Sequence, residues 1–244
     1  MIATMDVAAP ARGTTGTGRP ALLACSHGTS SPAGRAAIAA LVDAVAARRP
    51  DLRVAPSFVD VQQPDVPTSL AALGERAVRV VPLLLSAGYH VHVDLTRAAR
   101  AASHAQVRPA LGPDVRLARQ LARRLDAVGL AAEDSVVLAA AGSSDARAVA
   151  DCEVMGSMLA DVLARPVTCG YISAVQPALA DAVAAARGRN PRGRVVVATY
   201  LLAPGYFADL AAACGADLVS DPLLTPQEEP VPELVDLVLE RYGG

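Results

Sequence analysis

The chain contains no lysine: all 22 of its basic residues are arginine. That rules out a P-loop lysine, a Schiff-base lysine and a Ser-Lys dyad, and several enzyme classes with them. Tryptophan is also absent and aromatic residues make up only 3% of the chain, which argues against a protein that stacks single-stranded bases. A net charge of -2 offers neither duplex nucleic acid nor an anionic membrane an electrostatic footprint. The four cysteines, Cys25, Cys152, Cys169 and Cys214, form no C-x-x-C pair, so neither a zinc ribbon nor an iron-sulfur cluster is indicated, and they read as small buried hydrophobes. No stretch sustains the roughly 18 to 20 apolar residues of a membrane helix, because Arg, Asp and Pro interrupt the Ala-rich runs. With no secretory pattern at its start, the protein is expected to be cytoplasmic.

What is present is aliphatic. Hydrophobic residues make up 52% of the 244 positions and charged residues 19%, enough apolar surface for a full core and too much for a disordered chain. Short apolar runs alternate with longer Ala/Leu/Arg stretches of helical period, the pattern of parallel strands joined by crossover helices, hence an α/β fold. Strands are expected at 21–25, 53–59, 78–85 and 105–109, and helices at 32–49, 66–75, about 94–103 and 113–128. Residues 1–19 read as a disordered tail.

The same order restarts at Ser135. His27-Gly28-Thr29-Ser30-Ser31 aligns with Ala141-Gly142-Ser143-Ser144-Asp145, and Gln63-Pro64 with Gln176-Pro177. Leu84 to His90 falls on Leu201 to Phe207, and Pro109 to Pro113 on Pro222 to Pro226, all at an offset of about 114 residues. Two tandem similar domains are therefore expected, 20–131 and 132–244, each a small parallel sheet flanked by helices. The loops that follow the strands are kept in both units. The histidines are not: His27 is opposite Ala141 and His90 opposite Phe207.

In an open parallel sheet, ligands sit beyond the carboxyl ends of the strands, where the strand order switches. His27 follows the first strand and His90 the third. If those strands are neighbours, their ends lie about 4.8 Å apart and two imidazoles can converge on one ion.

The stretches Ser26-His27-Gly28-Thr29-Ser30, Phe58-Val59-Asp60 with Gln63-Pro64, and Val81-Pro82-Leu83-Leu84-Leu85-Ser86-Ala87-Gly88-Tyr89-His90-Val91 with Asp94 resemble the class II chelatases of the sirohydrochlorin type, in their two-unit form. The resemblance runs from about Ala21 to Tyr242. It implies a chelatase-like fold and a lyase that inserts Fe2+, Co2+ or Ni2+ into sirohydrochlorin for siroheme or cobalamin, with no cofactor beyond that metal substrate. It also implies that His27 is metal ligand and proton acceptor, that His90 is the second ligand, and that Leu85, Ser86, Ala87, Gly88 and Tyr89 line the macrocycle with Gln63. Two positions depart from the family pattern: Gln63 stands where an acidic residue is common, and Asp60 stands where Glu is more usual and is the candidate for that acidic role.

The residue types suit such chemistry. Imidazole, with an ordinary pKa of about 6.5, can hold a metal and receive protons near neutral pH, and only two protein ligands leave positions open for transfer. Arg35, Arg97 and Arg100 are candidates to fork onto substrate carboxylates. His92 is a candidate auxiliary ligand, His104 reads as structural, and Arg116, Arg119 and Arg123 read as a solvated helix face. Expected partners are sirohydrochlorin and a divalent metal ion, with a monomer or homodimer as the assembly. The alternative reading is a non-catalytic carrier of metal or tetrapyrrole.

Overall fold

A computed structural model describes residues 18–86, 95–97, 99 and 102–243. The first sheet has four parallel strands, β1 (Ala21–Ser26), β2 (Val54–Phe58), β3 (Val78–Pro82) and β4 (Ala105–Val107), in the order β2-β1-β3-β4. The second repeats it with β5 (Ser135–Ala140), β6 (Val167–Tyr171), β7 (Val195–Tyr200) and β8 (Leu218–Val219), in the order β6-β5-β7-β8. Strands one and three of each unit are thus neighbours. In the first sheet Ala24 pairs with Val81 and Cys25 with Pro82, so both chains leave the sheet at the same edge. β3 ends at Pro82, earlier than the apolar run to Leu85 suggested. Proline has no N–H for the ladder, and only Leu83 beyond it still donates to the Cys25 carbonyl, at 2.7 Å.

The helices are α1 (Pro32–Arg48), α2 (Val66–Leu73), α3 (Val115–Ala127), α4 (Ala146–Leu163), α5 (Leu179–Arg189), α6 (Tyr206–Ala212) and α7 (Pro232–Gly243), with residues 95–97 and 99 also helical. Their starts follow from local chemistry. Ser31, Asp65, Asp114 and Asp145 each accept a hydrogen bond from a backbone amide of the first turn, and proline follows in the first turn of α1 and α2. No helix among the described residues is long and apolar enough to cross a membrane.

Alternation along the strands sorts the core. Ala21, Leu23 and Cys25 of β1 pack outward with Val66 and Leu70 of α2, and Val137 and Ala139 of β5 pack outward with Leu179 and Val183 of α5. The opposite faces, Leu22 and Ala24 in one sheet and Val136, Leu138 and Ala140 in the other, belong to one continuous cluster that spans both units.

That shared cluster comes from an exchange of closing helices. α3, which ends the first repeat in sequence, packs on α4 and β7 of the second sheet; α7, which ends the second repeat, packs on α1 and β3 of the first. The units of the sequence therefore differ from the units of packing. The solvated face expected of the α3 arginines holds for the exposed Arg119 and Arg123, but Arg116 is half-buried. Arg116 bridges Asp114 and Glu240, and Arg123 reaches Glu233, so both are stitched to α7. From α7, Arg241 donates to the carbonyls of Ala110 and Leu111 and to Asp114, and the Tyr242 hydroxyl donates to the Pro20 carbonyl at 2.7 Å.

Candidate active site

His27 is the first residue beyond β1, where the order of the first sheet switches. Its carbonyl accepts the Asp60 amide at 2.9 Å, tying the β1 exit loop to the β2 exit loop. The two can meet only because residue 28 is glycine. Gly28 has φ +94°, and a Cβ there would lie 2.0 Å from the Asp60 carbonyl oxygen. The Thr29 amide then donates to Gln62 Oε1 at 2.9 Å, and the Thr29 hydroxyl accepts the Ser31 amide at the start of α1.

The His27 side chain is exposed and faces a cleft of about 540 Å³ between the two units. Ser26, His27, Thr29, Gln62, Leu85 and Ser86 line it from the first unit; Ala140, Ala141, Val149, Leu202, Pro204 and Phe207 are among its lining from the second. The units abut closely here: a Cβ on Gly34 in α1 would come within 2.3 Å of the Pro204 carbonyl oxygen. No charged side chain lines the cleft among the described residues, and these residues contain no cluster of three metal-binding side chains. Cys152 reaches the cleft wall, but burial pushes its thiol up to about 12, so it is a neutral thiol rather than a ready thiolate ligand.

Leu85 and Ser86, which the resemblance implies line the macrocycle, stand in the cleft wall. Ala87, Gly88, Tyr89, His90, His92, Asp94 and Arg100 lie outside the described residues. Gln63 does not reach the cleft. It is exposed and its side chain accepts the Asp65 amide at 3.0 Å, while Gln62 takes the place expected of it. The cause is Val61, which at φ +65° reverses the chain and sends successive side chains in unanticipated directions. Asp60 caps that turn, its carboxylate accepting the Val61 amide at 2.7 Å. Arg35 is committed to the backbone, donating to the carbonyls of Thr29 and Ser30 at 3.1 and 3.0 Å, and so braces the His27 loop. Arg97 is exposed and not among the cleft residues.

One contact had no signal in the sequence. The hydroxyl of Tyr200, at the end of β7, donates to the Leu85 carbonyl at 2.8 Å, so the second unit fixes part of the first unit's cleft wall. A buried tyrosine at a strand end reads as core, and its partner lies 115 positions away in sequence.

Comparison with known proteins agrees with this geometry. The CbiX family model matches residues 21–128. SirB from Bacillus subtilis with Fe3+ superposes with a TM-score of 0.73 at 19% identity, over 92% of this chain and 94% of that one. The sirohydrochlorin chelatase SirB of Bacillus subtilis subspecies spizizenii, in complex with cobalt, gives 0.68 at 17% identity, over 91% and 93%. CbiX, described as the terminal enzyme for biosynthesis of siroheme in denitrifying bacteria, gives 0.58 at 21% identity, over 91% and 97%. No curated protein matches the sequence. The first unit of this chain thus matches the CbiX family model, and the whole chain has the two-unit fold of these chelatases.

Proposed function

We propose that this protein is a sirohydrochlorin chelatase that inserts a divalent metal, Fe2+ first and Co2+ next, into the macrocycle for siroheme or cobalamin. The observation that carries the reading is the placement of His27: an exposed imidazole beyond β1 at the switch in strand order, facing a cleft whose described lining carries no charge, in the unit that matches the CbiX family model.

In the reaction two pyrrole N–H bonds break, two protons leave, and the ring nitrogens bind the incoming ion. Net charge is conserved, with M2+ entering and two H+ departing. His27 holds the ion in an open coordination sphere and takes up a departing proton as the metal is released to the ring; solvent carries both protons away. His90 is the second ligand in this reading. Leu85 and Ser86 contact the ring, and Gln62 orients the Thr29 amide beside His27. The metal enters as a substrate, and no further cofactor takes part.

The test is an anaerobic absorbance assay of sirohydrochlorin with Fe(II), Co(II) or Ni(II), with and without protein and with His27→Ala. Wild type should exceed the spontaneous rate, and His27→Ala should lose roughly 100-fold or more of that acceleration while keeping its Tm, because an exposed loop side chain contributes little to stability. Stoichiometric binding with no acceleration by any metal would instead establish a carrier.

A further inference from the structure

The exposed large hydrophobic side chains are not scattered evenly. Val61, Tyr206 and Phe207 all line the same cleft, at 60%, 71% and 39% exposure. The chain has only seven aromatic residues in total, five Tyr and two Phe. Of those described, Tyr171, Tyr200 and Tyr242 are buried and Phe58 is half-buried, so the two left open are adjacent at the start of α6. Their rings meet edge to face, with centroids 5.9 Å apart and planes at 78°.

Val61 adds an independent observation. It holds φ +65°, a backbone region where a β-branched residue is strained and glycine is at ease. The equivalent residue of the second unit, Ala174, has the same φ and a much smaller side chain. The strained turn is common to both units, so the turn itself does not require the isopropyl group that points into the cleft in the first.

We propose that Val61 from the first unit and the Tyr206–Phe207 pair from the second form an apolar jaw that grips the plane of the tetrapyrrole and turns its carboxylates outward to solvent. This rests on the chelatase reading. The occupant follows from the walls: a planar conjugated ring is apolar on its faces and anionic at its rim, and the described cleft offers apolar faces with no guanidinium inside. Phe207 occupies the repeat position of His90, so the second unit presents a ring where the first has a ligand. The jaw residues set affinity and substrate class and are distinct from the group that handles protons.

The test measures sirohydrochlorin binding without metal and steady-state Co(II) insertion for wild type, Phe207→Ala, Val61→Gly and a surface control, Val154→Ala, outside the cleft. Phe207→Ala should raise Kd and KM roughly tenfold with kcat within about twofold. Val61→Gly should raise Kd and KM roughly threefold to fivefold while Tm holds or rises, because the strain is relieved. A purely structural role for Val61 predicts the opposite pairing, unchanged binding in a less stable protein. Unchanged Kd and KM in both cleft variants of an active enzyme would overturn the jaw and leave the chelatase reading standing. A wild type that binds sirohydrochlorin but does not accelerate insertion would overturn the chelatase reading, and a weakened Kd in Phe207→Ala would still support the jaw.

Discussion

The two units share a backbone and differ in what it carries. Gly28 and Gly142 both have positive φ beside a carbonyl oxygen of the β2 or β6 exit loop, Val61 and Ala174 both have φ +65°, and Gln63 and Gln176 both accept an amide two residues on. On that common frame the first unit places His27, Asp60 and Gln62, and the second places Ala141, Ser173 and Val175. Loop geometry is therefore common to both units, whereas the imidazole, carboxylate and amide side chains at these positions belong to the first. The second unit is more than a remnant: it supplies the apolar wall and, through Tyr200, fixes the Leu85 carbonyl.

The largest expected effect breaks the idea that the repeats are separate bodies. A chain ended at residue 231 loses the buried Leu234, Val235, Leu237, Val238 and Tyr242. At about 1.5–3 kcal/mol per buried side chain that is on the order of 10 kcal/mol, comparable to the whole stability of a domain. Circular dichroism should show no cooperative melting transition. A retained transition of about half the native amplitude would show that the second unit folds alone.

A smaller effect sharpens the contrast in function. Gly28→Ala and Gly142→Ala place a Cβ 2.0 and 1.9 Å from the Asp60 and Ser173 carbonyl oxygens. Each should lower stability by about 2 kcal/mol, or Tm by roughly 4–8 °C. Insertion assays should nonetheless separate them, with Gly28→Ala losing roughly tenfold more of kcat, because its loop carries the imidazole. Equal losses would mean that both loops serve the reaction alike.

The smallest effect concerns the exchange of helices. Asp114 caps α3 and also meets Arg116 and Arg241. Burial alone would raise its pKa, but hydrogen bonds from the Arg116 side chain and amide, with the charges of Arg116 and Arg241, outweigh burial and hold the carboxyl below its ordinary value. A depressed carboxylate contributes stability that is fully present above the unfolded pKa of about 3.9 and is lost as pH falls through the lower folded value. Asp114→Asn should therefore cost about 1 kcal/mol at pH 7 and flatten the loss of stability below about pH 4. Denaturant melts at several pH values would show it, and an unchanged acid slope would remove Asp114 from the account.

The place of His27 was legible in the sequence. A strand followed by His-Gly-Thr, repeated without its histidine, pointed to one working cleft, and the structure puts His27 in it. Gln63 was misplaced because the alternation of side chains assumes an extended chain, and Val61 reverses it. Arg35 had the right charge and neighbourhood for a substrate carboxylate, but two of its five N–H groups go to the carbonyls of its own loop, which fixes how the guanidinium lies. Backbone acceptors leave no trace in residue identity, so that competition was invisible.

By itself the sequence determined the duplication, the parallel α/β layout and the unit that holds the imidazole. Those depend on periodicity, on turn residues and on one chemically distinctive side chain, all of them local. Only the tertiary structure decided which sheet each closing helix covers, which glutamine reaches the cleft and which tyrosine spans the units. An amphipathic helix such as α3 or α7 reads the same whichever apolar face it buries against, and the choice between two similar sheets is made by contacts more than a hundred residues apart, such as Arg241 on Ala110 and Tyr200 on Leu85.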